Sequence, residues 1–171
     1  WSSDVCSSDL EGPGQEAAAR CVFYAARGDR GKGAAKALAE AGVAEKLLPL
    51  LTASDDSLQR WAAAALAPAV VFGDARDPVA AKGVKGVVDG GGVFTLVALL
   101  SSPSRDVQSH ALAALVAICE VALEAQDDSS LAQLVAERAA NAGCARALAP
   151  LCGDNDPRVA GAALEITGGL C

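Results

Sequence analysis

The sequence has no methionine, one histidine and one tyrosine, and its aromatic residues amount to 4% of 171 positions. A single histidine rules out any metal site or proton relay that needs two. Basic residues are outnumbered, with 14 Lys and Arg against 21 Asp and Glu, a net charge of −7 and a pI near 4.6. That balance is the reverse of the footprint that nucleic acid or an anionic membrane surface requires. No charge-free apolar run of about 18 residues occurs, so no segment reads as a membrane-spanning helix. Strand formers are sparse, which removes β-sandwiches. What is present is alanine, at 39 positions, within a chain that is 52% hydrophobic. The apolar content is therefore small side chains, and the composition reads as one Ala-rich, all-helical unit or array.

The first ten residues, Trp1-Ser-Ser-Asp4-Val-Cys6-Ser-Ser-Asp9-Leu10, have neither the basic nor the apolar region of a signal peptide. Read as codons, they resemble the in-frame translation of a common short-read sequencing adapter, and we set Trp1–Leu10 aside as a non-native tail. Without Asp4 and Asp9 the chain is still acidic. On this reading the chain is expected to be a fragment of a longer array.

An internal repeat organises the rest. Gly42-Val-Ala-Glu-Lys-Leu47-Leu-Pro-Leu50-Leu51, Gly91-Gly-Val-Phe-Thr-Leu96-Val-Ala-Leu99-Leu100 and Gly143-Cys-Ala-Arg-Ala-Leu148-Ala-Pro-Leu151-Cys152 align without a gap. The frame persists downstream through Leu58, Val107 and Val159, then Ala62, Ala111 and Ala163. Polar turns at 52–57, 101–106 and 153–157 carry Asp, Ser, Asn and Pro, the residues of loops and helix starts. Beyond each turn the apolar residues recur at three- and four-residue steps, as in Val107, Ala111, Ala114, Leu115 and Ile118. Ahead of each block, Gly33–Ala41, Val79–Asp89 and Ser130–Ala142 read as a further helix. The Gly that follows is suited to a left-handed turn. Each unit is thus expected to have three helices, none able to bury its stripe alone, so stability must come from stacking. The expected divisions are 11–41 for a partial first repeat, 42–90 and 91–142 for full repeats, and 143–171 for a last, truncated one.

These residues resemble the armadillo-repeat family, whose unit has a short helix, a Gly, a second helix of the form GxxxxLxxLL and a long third helix with xxAAxALxxL. Gly91–Leu100 with Val107–Ile118 carries the resemblance most fully, and it extends from about Gln15 to Cys171. The glycines are 49 and 52 residues apart, against about 42 in the family, so Val71–Lys85 and Glu120–Ser130 contain insertions. HEAT repeats are the competing α-solenoid, because Asp156-Pro157-Arg-Val159-Ala-Gly-Ala-Ala163-Leu has the look of their second helix. The recurring Gly and the extra helix before it favour armadillo.

The resemblance implies a right-handed superhelix whose third helices line a groove for an extended segment of a partner protein. Importin-alpha-like members place Trp and Asn four residues apart on each third helix to hold basic peptides. The matching positions here are Arg20 and Tyr24, Ala64 and Pro68, Ala113 and Ala117, and Glu165 and Gly169. With neither residue type at any of them, binding of nuclear-localisation signals by that mechanism is disfavoured. Trp61 lies out of register and reads as a packing residue. The implied groove contacts are Arg20, Tyr24, Arg60, Ser109, His110 and Glu165.

Catalytic patterns are weak beside this. Gly28-Asp-Arg-Gly31-Lys32-Gly33 lacks the upstream Gly and the trailing Ser or Thr of a phosphate loop and reads as a polar loop. Asp55-Asp56 and Asp127-Asp128 stand at expected helix starts, where carboxylates cap. Cys21, Cys119, Cys144, Cys152 and Cys171 show no CxxC spacing and read as small apolar residues, reduced in a cytoplasmic setting. The expected function is a non-enzymatic scaffold with a protein partner, no cofactor, no metal, no small-molecule substrate, no nucleic acid and no direct membrane insertion. The alternatives are the recognition arm of a larger enzyme such as a ubiquitin ligase, and a self-associating or membrane-tethered scaffold.

Overall fold

The computed structural model describes residues 13–28, 33–71, 75–125 and 129–170. The Trp1–Leu10 tail, the centre of the 28–33 loop, Asp127-Asp128 and Cys171 lie outside the described residues. Among those described every regular element is helical: α1 (Pro13–Gly28), α2 (Gly33–Glu40), α3 (Val43–Leu47), α4 (Asp56–Val70), α5 (Pro78–Asp89), α6 (Gly92–Leu99), α7 (Arg105–Glu124), α8 (Ser129–Asn141), α9 (Cys144–Leu148) and α10 (Pro157–Leu170). Three three-helix units follow α1, namely α2-α3-α4, α5-α6-α7 and α8-α9-α10. The long helices stack in one layer, α1 on α4, α4 on α7 and α7 on α10. On the other side α2, α5 and α8 form a second row, joined by the short helices α3, α6 and α9.

Local chemistry sets the boundaries. Gly42, Gly91 and Gly143 sit at φ of 67°, 77° and 74°, the left-handed conformation that turns the first helix of each unit into the second. Asp55 caps α4, its Oδ1 accepting from the amides of Ser57 at 2.8 Å and Leu58 at 3.0 Å. Asp77 caps α5 by accepting from the Val79 amide at 2.9 Å, with Pro78 in the first turn, where its missing N–H costs nothing. The second helices are shorter than the sequence frame suggests. Pro49 stands where α3 passes into a 3-10 turn over Leu48–Thr52, and α9 ends at Leu148 ahead of Pro150. A proline both lacks the donor and crowds the preceding turn. Pro68 acts similarly in α4, which ends two residues later at Val70, whereas α7 has alanine at the matching position and continues to Glu124. The expected insertion from Glu120 therefore begins as an extension of α7. Part of the one from Val71 is the start of α5.

Stacking rests on small residues. Ala62, Ala111 and Ala163, one per unit, are wholly buried, and side chains this small let neighbouring helix backbones approach closely. A continuous core runs from Ala19 on α1 to Ile166 on α10, and no polar or charged residue is among the buried described ones. Leu51, Leu66, Leu96, Leu112, Ile118, Leu131, Leu148 and Ile166 are its largest fully buried members, each contributing about 1.5–3 kcal/mol relative to exposure. The helix α7 is, among the described residues, the one long and apolar enough to cross a bilayer, but more than half of that stretch is buried against neighbouring helices.

Polar bonds repeat with the units. Gln59 donates to the Leu51 carbonyl at 2.9 Å and Gln108, its repeat equivalent, to that of Ser102 at 2.8 Å, each tying a long helix to the turn before it. Ion pairs link successive units: Lys36 with Asp77 at 3.0 Å, Arg60 with Asp106 at 3.4 Å, and Arg105 with Asp154 through both guanidinium nitrogens. Being exposed on at least one side, they add little to stability and mainly fix unit-to-unit register. The Val79 amide and the Lys36 ammonium hold Asp77 below its ordinary pKa, and Arg105 does the same for Asp154.

Candidate functional site

The polar and aromatic side chains concentrate where α1, α4 and α7 adjoin. Phe23 and Tyr24 on α1 meet Trp61 on α4, with ring centroids 5.6 and 5.9 Å from the indole. Phe23 and Tyr24 also contact each other edge-on at 5.3 Å. Guanidiniums cover these rings. Arg20 lies over Trp61 at 5.1 Å, Arg60 over the same ring at 5.3 Å, and Arg27 over Phe23 at 5.1 Å. The attraction is that of a cation for the negative face of an aromatic ring. Arg20 reaches Glu16 only at 3.8 Å, and the buried Nε of Arg60 has no hydrogen-bond partner.

His110 joins this group from α7. Its pKa is lowered, first by burial and then by the positive charges of Arg60 and Arg27, with Asp106 acting in the opposite direction. The neutral imidazole is therefore favoured at physiological pH.

Four of the six groove candidates, Arg20, Tyr24, Arg60 and His110, thus fall in one neighbourhood. Ser109 is exposed on α7 beside His110. Glu165 is exposed on α10, at the other end of the layer, where its charge and that of Glu120 bear on Cys119. Sequence reasoning missed Phe23, Arg27 and Asp106, and assigned Trp61 to packing. That packing role holds, since Trp61 sits partly buried against the hydrophobic core, and its ring also meets the guanidiniums of Arg20 and Arg60. The available signal was helical spacing, since Arg20, Phe23, Tyr24 and Arg27 recur at three- and four-residue steps on α1. Cys119 and Cys144 are buried and Cys152 partly so, as expected of cysteines that mostly take apolar helix positions, while Cys21 is exposed. Burial pushes the Cys119 thiol up to about 12.

Two open clefts lie elsewhere, each between adjacent units, the first between α3 and the α5–α6 region and the second between the α6–α7 turn with the start of α7 and α9. One of about 650 Å³ is lined by Glu45, Leu48, Gly86 and Asp89, and one of about 570 Å³ by Arg105, Gln108, Arg146 and Asp154. Neither includes a member of the arginine–aromatic group.

No family model matches the chain, and no curated protein matches it. Solved structures do. An engineered protein is 31% identical with a TM-score of 0.72, over 95% of this chain and 58% of that one. A designed armadillo repeat protein in complex with the peptide (KR)4 is 16% identical with a TM-score of 0.54, over 95% of this chain and 78% of that one. The fold is an armadillo-like α-solenoid. A second engineered protein is 28% identical with a TM-score of 0.58, again over 95% of this chain. The chain spans 58% and 45% of the lengths of the two engineered proteins. The armadillo-like assignment agrees with the extra helix before each left-handed glycine, which a two-helix HEAT unit lacks.

Proposed function

We propose that this armadillo-like chain is a non-enzymatic scaffold that binds an extended segment of a partner protein along the exposed side of the α1-α4-α7-α10 layer. The observation that carries the reading is the exposed arginine–aromatic group on that layer, where Arg20 and Tyr24 are more than half exposed. Arg and aromatic residues are the side chains in which binding energy concentrates at protein interfaces. A designed protein of the same fold holds a peptide, which supports the reading in general terms. The free thiols Cys21, Cys119, Cys144 and Cys152 suit a reducing, cytoplasmic location.

The test is fluorescence anisotropy of dye-labelled eight-residue peptides of acidic, basic, mixed and neutral composition, with hydrogen exchange mapping the contact. Saturable binding of at least one peptide, with protection gained on α1, α4 or α7, is the expected result. Absence of binding across all four compositions would refute the reading.

A further inference from the structure

The charges along the long-helix layer are not evenly distributed. Arg20, Arg27 and Arg60 gather over the aromatic rings at the α1–α4 end, with Glu16 and Asp106 as their paired acids among the described residues, in a chain whose net charge is −7. Collecting three like charges is unfavourable unless something offsets it. The rings offset part, but a guanidinium stacked on a ring keeps its in-plane N–H donors available. Those donors match a carboxylate in a two-pronged geometry. At the other end, Glu120 on α7 and Glu165 on α10 are exposed and both bear on Cys119.

We infer that the segment bound by this layer is charge-split, with an acidic side chain held by Arg20 and Arg60 over Trp61 and a basic side chain facing Glu120 and Glu165. This rests on the peptide-binding reading above and specifies its ligand. From Trp61 on α4 to Glu165 on α10 is two helix-to-helix steps of about 10 Å, or about 20 Å. Extended chain rises about 3.3 Å per residue, so the two charges belong about six residues apart. A wholly basic peptide is a poor occupant, because it sets like charges against three arginines.

The experiment measures anisotropy for Glu-Glu-Gly-Ser-Gly-Ser-Lys-Lys, its reverse, (KR)4 and an alternating Gly-Ser peptide, on the full chain and on variants. One of the two split peptides is expected to bind more tightly than (KR)4 and the neutral peptide. Arg20→Gln and Arg60→Lys are each expected to weaken that binding by about tenfold, the scale of one charge-assisted bond. Lys82→Gln, on the exposed side of α5, is expected to leave it unchanged. Arg20 is half exposed, so Arg20→Gln is expected to keep the wild-type circular-dichroism spectrum and melting curve. Tighter binding of (KR)4, or split-peptide binding indifferent to both arginine variants, would overturn the charge-split assignment while leaving the peptide-binding reading in place. Failure of every peptide, including the neutral one, would remove that reading and the assignment with it.

Discussion

Leu115 offers the sharpest test of how the units hold together. It lies on α7, the helix stacked between α4 and α10, and is 2% exposed within the continuous core. Leu115→Ala deletes buried carbons and leaves a cavity, which costs about 2–5 kcal/mol. At roughly 2–4 °C per kcal/mol for a chain of this size, a loss near 3 kcal/mol lowers the melting midpoint by about 6–12 °C. Leu115→Asp is more severe. No polar or charged residue is buried among the described ones, so the new carboxylate would have no buried partner. An unpaired buried charge costs several kcal/mol, comparable with the whole stability of about 5–15 kcal/mol for a domain. Because each unit contacts only its neighbours, damage in α7 also uncouples the units on either side. The assay is thermal and urea unfolding followed by helical circular dichroism. Leu164→Ala serves as the control, since Leu164 is 58% exposed on α10. A Leu115→Asp curve that overlays the wild-type curve would refute the register assigned to α7 and the stacking argument built on it.

Glycine substitutions should split by backbone conformation. Gly91 has φ of 77° and Gly83 lies inside α5, and a Cβ at either meets nothing within 4 Å; Gly91→Ala should therefore cost about 1–2 kcal/mol and Gly83→Ala stabilise by about 0.4–1 kcal/mol in urea melts. His110, the only histidine, should titrate below 6.5 by NMR, and Arg60→Gln or Arg27→Gln should raise its pKa. Since the folded-state value is depressed, the stability tied to neutral His110 is complete above the unfolded pKa. It is lost as pH falls from about 6.5 through the folded value, which pH-dependent unfolding would show. Iodoacetamide at mildly alkaline pH should modify exposed Cys21 and spare Cys119, whose thiol burial raises to about 12; mass spectrometry showing equal labelling would contradict the packing around α7.

Much of the architecture can be read from residue order alone. The three left-handed glycines, the apolar steps of the long helices, the capping aspartate Asp55 and the buried alanines each report a local requirement of backbone or helix period. Local requirements leave periodic traces. Proline effects were equally local yet only partly legible: Pro49 and Pro150 stood in view, but how far each shortens its helix depends on neighbouring turns. The composition of the arginine–aromatic group was not legible in this way. Arg20 and Arg27 are far from Arg60 in sequence, and Asp106 and His110 are further still. Nothing in the spacing says that two guanidiniums share one indole.

The sequence by itself thus determined the repeat, the helical class and the stacking layer, because helix period and turn chemistry act over a few residues. Only the tertiary structure decided that two guanidiniums meet the ring of the core-packed Trp61, and that Lys36, Arg60 and Arg105 reach acids in the next unit. Those outcomes depend on the offset between one unit and the next, which is set by how alanine-lined helices settle against each other. A small change in that offset moves a side chain from one partner to another without altering any local pattern.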